Sequence, residues 1–302
     1  AIGPGQAVRV SAASLFSAAS GFLVLFIAAR ALSPADNAEF LAFWAGLFAV
    51  IGILGGLTAE TTRAVGARAG DGPAPDGTAR GARVITASLI VGGALATLVL
   101  VVGLPLADRV FSARGIVIVI LLASAALVYS IHAAVAGSLQ GRSLWGPFAS
   151  LLTTEALIRL AAVGTAAATA GGLFGVETAC LAALLAWVGI LAASKASRAA
   201  AMSRADVPLR RFLRQTGQAL LSAGASAALL VSFPLLVKIT TSPQDYDLAA
   251  PLLLAISLTR APIMLPLQAF QGVAIAAVVR ARGEGLRVLR KPVAAVTALG
   301  VA

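Results

Sequence analysis

Charged side chains inside long apolar stretches are the residues of this 302-residue chain whose types are suited to chemistry. Glu155 and Arg159 stand four apart in one such stretch, with Thr154 adjoining and Ser150 about one turn earlier. On a helix this spacing brings acid and base together, with the acid nearer the N-terminus, the favourable order for a pair. An ionisable group at membrane depth is costly unless it meets a partner or a cavity. Two roles fit the pair: a neutral staple between helices, or part of a cavity wall. Arg260 has no acid within a turn and lies beside Pro262. We read it as a guanidinium on a bent helix, aimed into a water-filled cavity at an anion. The alternatives are a pairing with Glu155 or another helix, or a side chain reaching one interface. Guanidinium suits phosphate because its planar fork donates two parallel hydrogen bonds. Arg30 closes the first apolar stretch and Arg63 follows the second, positions that interface anchors take. His132, in the fourth, reads as a hydrogen-bonded packing residue rather than a proton relay.

Enzyme signatures are missing. The sequence has no Gly-rich phosphate loop with Lys, no HExxH and no Cys/His metal spacing. Asp71 and Asp76 sit in a Gly/Pro-rich loop, without the helical spacing of a paired-metal site. One His and one Cys leave little material for nucleophilic or metal catalysis, and Cys180 excludes an internal disulfide. The expectation is a transporter rather than an enzyme, with no cofactor and no metal.

The elements that must position these charges are long apolar helices. A bilayer core about 30 Å thick needs roughly 20 apolar residues per helix. Eight stretches qualify approximately: 10–29, 40–59, 84–106, 115–136, 145–168, 178–193, 212–236 and 248–279. Seventeen of the 23 Lys and Arg fall at the N-terminus or in connectors after even-numbered stretches, and four after odd-numbered ones. The positive-inside rule therefore places the N-terminus and the connectors 60–83, 137–144, 194–211 and 280–291 in the cytoplasm. Hydrophobic residues make up 59% of the chain and charged ones 12%, too little polar surface for a soluble domain of this length. The net charge of +11 lies mostly beside the membrane, where anionic lipid headgroups, not nucleic acid, are the expected partners. The reading is an all-α polytopic protein of the bacterial inner (plasma) membrane.

Two connectors are long. Residues 68–83 form a Gly-, Pro- and Ala-rich cytoplasmic loop. Residues 195–214 carry six Lys and Arg and read as the boundary between a six-helix lobe, 1–199, and the start of a second, 200–302. The final stretch 292–302 reaches only about 16 Å as a helix. It reads as a truncated ninth span of a longer transporter.

Three segments carry a family resemblance. Ile27-Ala28-Ala29-Arg30-Ala31-Leu32-Ser33-Pro34-Ala35-Asp36, continuing to Phe40, forms the end of helix one and the turn into helix two. Gly56-Leu57 has Arg63 six residues after Leu57, and Leu258-Thr259-Arg260-Ala261-Pro262 lies in the eighth stretch. Leu139-Gln140-Gly141-Arg142 is a weaker fourth. In this order they resemble the oligosaccharide-lipid flippases of the multidrug/oligosaccharidyl-lipid/polysaccharide exporter superfamily. The resemblance implies two six-helix lobes around a central cavity, alternating access, and Arg30 and Arg260 near a substrate pyrophosphate. The substrate would be a polyprenyl-pyrophosphate-linked glycan for the cell envelope, with Glu155 and Arg159 as further substrate-binding candidates and envelope glycan-synthesis proteins as possible partners. Two other readings remain: a cation-coupled drug exporter using Glu155, and a non-transporting scaffold of an envelope synthase.

Overall fold

The computed structural model describes residues 4–70, 81–111, 114–169, 171–231 and a few positions between 236 and 256. Arg260, Lys238, Asp245, Asp247, most of the eighth stretch and 292–302 lie outside the described residues. Nine α-helices are described: α1 Pro4–Ala31, α2 Pro34–Gly70, α3 Val84–Val110, α4 Gly115–Gly141, α5 Trp145–Ala168, α6 Gly172–Ala182, α7 Ala186–Ala193, α8 Lys195–Ala201 and α9 Leu209–Val231. A single 3-10 turn joins α6 to α7 into one 22-residue rod. Six helices, counting that rod once, are long and apolar enough to cross a membrane. No strand occurs among the described residues. The chain is an all-α, membrane-embedded protein.

Local chemistry explains the helix ends. Ser33 caps α2: its Oγ accepts from the Asp36 amide at 3.1 Å and donates to Asp36 Oδ2 at 2.8 Å. Pro34 takes the first helical position, where its missing N–H costs nothing. α4 ends in a Schellman motif, with Leu144 donating to Leu139 O at 2.8 Å and Ser143 to Gln140 O at 2.9 Å. Ser143 occupies the left-handed position, φ 61°, that glycine more often fills. This tight end turns α5 back alongside α4.

Small residues set the packing, as expected where lipid removes any hydrophobic drive between helices. Gly52 and Gly56 lie one turn apart on α2, and α9 rests on them. A Cβ at Gly56 would sit 2.5 Å from the Ala219 carbonyl, and one at Gly52 would sit 2.6 Å from Ala227 Cβ. On α4, Gly137 and Gly141 do the same against α2, where added Cβ atoms would meet Thr58 O at 2.7 Å and Thr62 O at 2.9 Å. α2 is therefore the most buried of the six long helices. α3 is the least, showing Leu98, Val101 and Val102 on its outer side. α1 runs parallel to α5: Val10 and Ala13 pack on Trp145 and Ala149, and Ser20 meets Arg159 further along.

The sixth span differs from expectation. The helix begins at Gly172 rather than Thr178, so it takes in Glu177. A carboxylate in the window reads as a loop residue by hydropathy, but this one is fully buried.

Candidate functional site

Helix geometry alone joins Glu155 to Arg159, because residues four apart face one another. Arg159 Nη2 donates to Glu155 Oε1, and both residues are buried. Tertiary packing then adds three helices. From α4, His132 Nε2 lies 3.4 Å from Glu155 Oε2. From α1, Ser20 Oγ accepts a long 3.5 Å bond from Arg159 Nη1 and donates to Ser17 O at 2.6 Å. From α2, the Phe48 ring sits 5.9 Å from the Arg159 guanidinium carbon, within cation–π range. Tyr129, one turn from His132, stacks on the imidazole at 4.8 Å and 11°.

The depth of this network follows from helix rise. His132 stands nine residues before Gly141, and Glu155 ten after Trp145. At 1.5 Å per residue both lie about 14–15 Å from the same end of the bundle, halfway through a core of about 30 Å. On α6, a second acid, Glu177, is also fully buried. His132 Nδ1 has no hydrogen-bond partner among the described residues. The cluster thus holds one guanidinium, one carboxylate and an imidazole, all buried, a set able to hold a proton.

His132 is buried and stacked on Tyr129, as a packing residue is, and its polar neighbour is Glu155. Glu177, Ser20, Phe48 and Tyr129 were not anticipated. Glu177 was legible in one respect: starting the sixth span at Gly172 gives 22 residues, a full membrane crossing.

Arg30 does not join this cluster. It lies ten residues beyond Ser20, about 15 Å along α1, exposed and over the Phe26 ring at 5.1 Å. Arg260 lies outside the described residues.

Arg63 is more than the interface anchor its position suggested. Its Nη2 lies 2.7 Å from Glu60 Oε1 and its Nη1 2.9 Å from Asp206 Oδ2. Asp206 belongs to the connector between α8 and α9, which also pairs with residues 82–84. Ala82 donates to Val207 O at 3.0 Å, Ala205 to Ala82 O at 2.9 Å and Val84 to Ser203 O at 3.3 Å. The two long basic connectors therefore meet at one end of the bundle.

Six apolar helices around a buried ionic network define the class, an all-α membrane protein. Over 302 residues it is 34% identical to uncharacterized protein Rv3630 of Mycobacterium tuberculosis and to uncharacterized protein Mb3654 of Mycobacterium bovis, matching 99% of this chain and 69% of each relative. Identity to uncharacterized protein Rv1510 of Mycobacterium tuberculosis is also 34%, over 99% of this chain and 68% of the relative. The chain belongs to the family of these mycobacterial proteins. No family model matches it. No solved structure matches it either.

Proposed function

We propose that this protein is a transporter that moves a polyprenyl-pyrophosphate-linked oligosaccharide from the cytoplasmic to the outer leaflet of the plasma membrane. The observation that carries the transport reading is the mid-depth network of Glu155, Arg159 and His132 between α4 and α5. Ionisable groups at that depth mark substrate or ion pathways by default. The substrate class comes from the resemblance of the Arg30, Gly56–Arg63 and Arg260 segments to oligosaccharide-lipid flippases. Sugar and pyrophosphate cannot enter hydrocarbon, whereas a polyprenyl tail can stay in lipid beside a lateral gap. Arg260 and Arg30 would hold the pyrophosphate, and rocking of two lobes would change the side it faces.

A second reading, cation-coupled export, is favoured by Glu177, a further buried acid within a membrane-spanning helix. One experiment separates the two. Purified protein is placed in proteoliposomes carrying a polyprenyl-pyrophosphate oligosaccharide, and glycan reaching the opposite leaflet is measured by lectin capture. Protein-dependent transfer that is lost in Arg260→Ala and partly kept in Arg260→Lys is the expected result. No transfer by the wild-type protein, or wild-type transfer by Arg260→Ala, overturns the flippase reading. Proton- or Na⁺-driven efflux of a cationic dye, lost in Glu177→Gln, would establish the exporter instead.

A further inference from the structure

A second polar site lies where the two long basic connectors meet. Val65, Arg68 and Ala69 from the end of α2, Arg142 at the end of α4, and Ser203 and Arg204 from the connector after α8 line a half-open cavity of about 210 Å³. A water in the liquid occupies about 30 Å³, so the space admits several waters or one phosphate-sized anion. Among the described residues, none that lines it is acidic. The nearby carboxylates of Glu60 and Asp206 are engaged by Arg63.

The Arg68 and Arg204 guanidiniums are held in place with donors to spare. Arg68 Nη1 donates to Ala205 O at 3.1 Å, and Arg204 Nη1 to Gly81 O at 3.2 Å. Each guanidinium carries five N–H donors, so these single bonds orient the groups without exhausting them. The Ser203 hydroxyl is buried with no hydrogen-bond partner among the described residues. A bland account is that the arginines serve the C-termini of α2, α4 and α8, which converge here. Each terminus supplies at most about half a negative charge, roughly −1.5 in all, against three full positive charges. Arg63 meets the two carboxylates with one charge, so a smaller positive excess is left for an anion.

We propose that this cavity binds the phosphate group of an anionic ligand, with Arg68, Arg142 and Arg204 as charge partners and the Ser203 hydroxyl as a donor. The site is separate from the mid-membrane network and does not depend on the transport reading. The phosphate has two possible sources, a lipid headgroup or a free phosphate ester, which present the same oxygens.

The full chain is purified and tested in two arms. In the first, inorganic phosphate and glycerol 3-phosphate are titrated in detergent and binding is followed calorimetrically. In the second, nanodiscs of phosphatidylcholine with phosphatidylglycerol are compared with phosphatidylcholine alone, and retained lipid is counted by native mass spectrometry. Binding in the first arm identifies a soluble phosphate ligand, and retention in the second alone identifies a headgroup. In either case Arg142→Gln should weaken binding about tenfold or more, because a charge-assisted contact is lost. Arg142→Lys should keep part of the affinity, and Ser203→Ala should lose less than Arg142→Gln. The unliganded thermal midpoint of Arg142→Gln should match the wild type. Absence of binding in both arms, or unchanged binding by Arg142→Gln, overturns the proposal. So does binding that emerges only in Asp71→Asn/Asp76→Asn, since the cavity would then be neutralised by the chain's own connector.

Discussion

Arg159 and Arg63 each grip a carboxylate on their own helix and reach a distant element, but in opposite surroundings. Arg63 keeps 33% of its side chain exposed, and its distant partner Asp206 keeps 20%. Arg159 and Glu155 keep 7% each, and their neighbours are His132, Ser20 and an aromatic ring. The same residue types therefore face different penalties. At the bundle end, water re-solvates whatever loses its partner. At mid-depth nothing does, so the network must stay whole or change its protonation.

The largest effect should come from breaking the buried network. Glu155→Ala leaves Arg159 uncompensated and should cost about 3–5 kcal/mol, read as a collapse of folded yield and thermal midpoint in detergent. Glu155→Gln/Arg159→Gln removes both charges and should recover most of that stability. A double variant that is folded but inactive would assign the pair to transport, and an active one would make it a staple only.

Helix packing should respond next. Gly56→Ala pushes a methyl into the Ala219 backbone and should destabilise by about 1–3 kcal/mol through displacement of α9. Gly55 has open space at its Cβ position. Gly55→Ala should therefore stabilise the helix by up to about 1 kcal/mol. Equal thermal shifts for the two variants would refute the close approach of α9 to α2.

Smallest of all should be the end network. Asp206→Asn should cost about 1 kcal/mol or less, and raising salt toward 1 M should shrink the difference from wild type. A salt-independent loss as large as that of Glu155→Ala would mean that Arg63 is as poorly solvated as Arg159, and the contrast between the regions would fail.

Much of the helical framework was legible in residue order. Apolar runs of membrane length place α3 to α5 within five residues, because a chain in hydrocarbon must satisfy its backbone within the helix, whereas α2 runs from Pro34 to Gly70, well beyond the expected 40–59. The Glu155–Arg159 pair was legible for a related reason: helix periodicity alone sets an i,i+4 contact. The exception, Glu177, shows where hydropathy fails. An averaged window counts a carboxylate as a break, whereas packing against α5 buries it and lets the helix continue through it.

What the tertiary structure alone decided is which helices meet. In a chain this rich in alanine and glycine, many faces could support close packing, and sequence order does not choose among them. Folding selected Gly52 and Gly56 for α9 and Gly137 and Gly141 for α2. It carried His132 to Glu155 and Ser20 to Arg159, 139 residues away in sequence. It also brought Arg68, Arg142 and Arg204 around one cavity. Local periodicity determines the helices and their own pairs; three-dimensional packing determines every contact between them, and hence both polar sites.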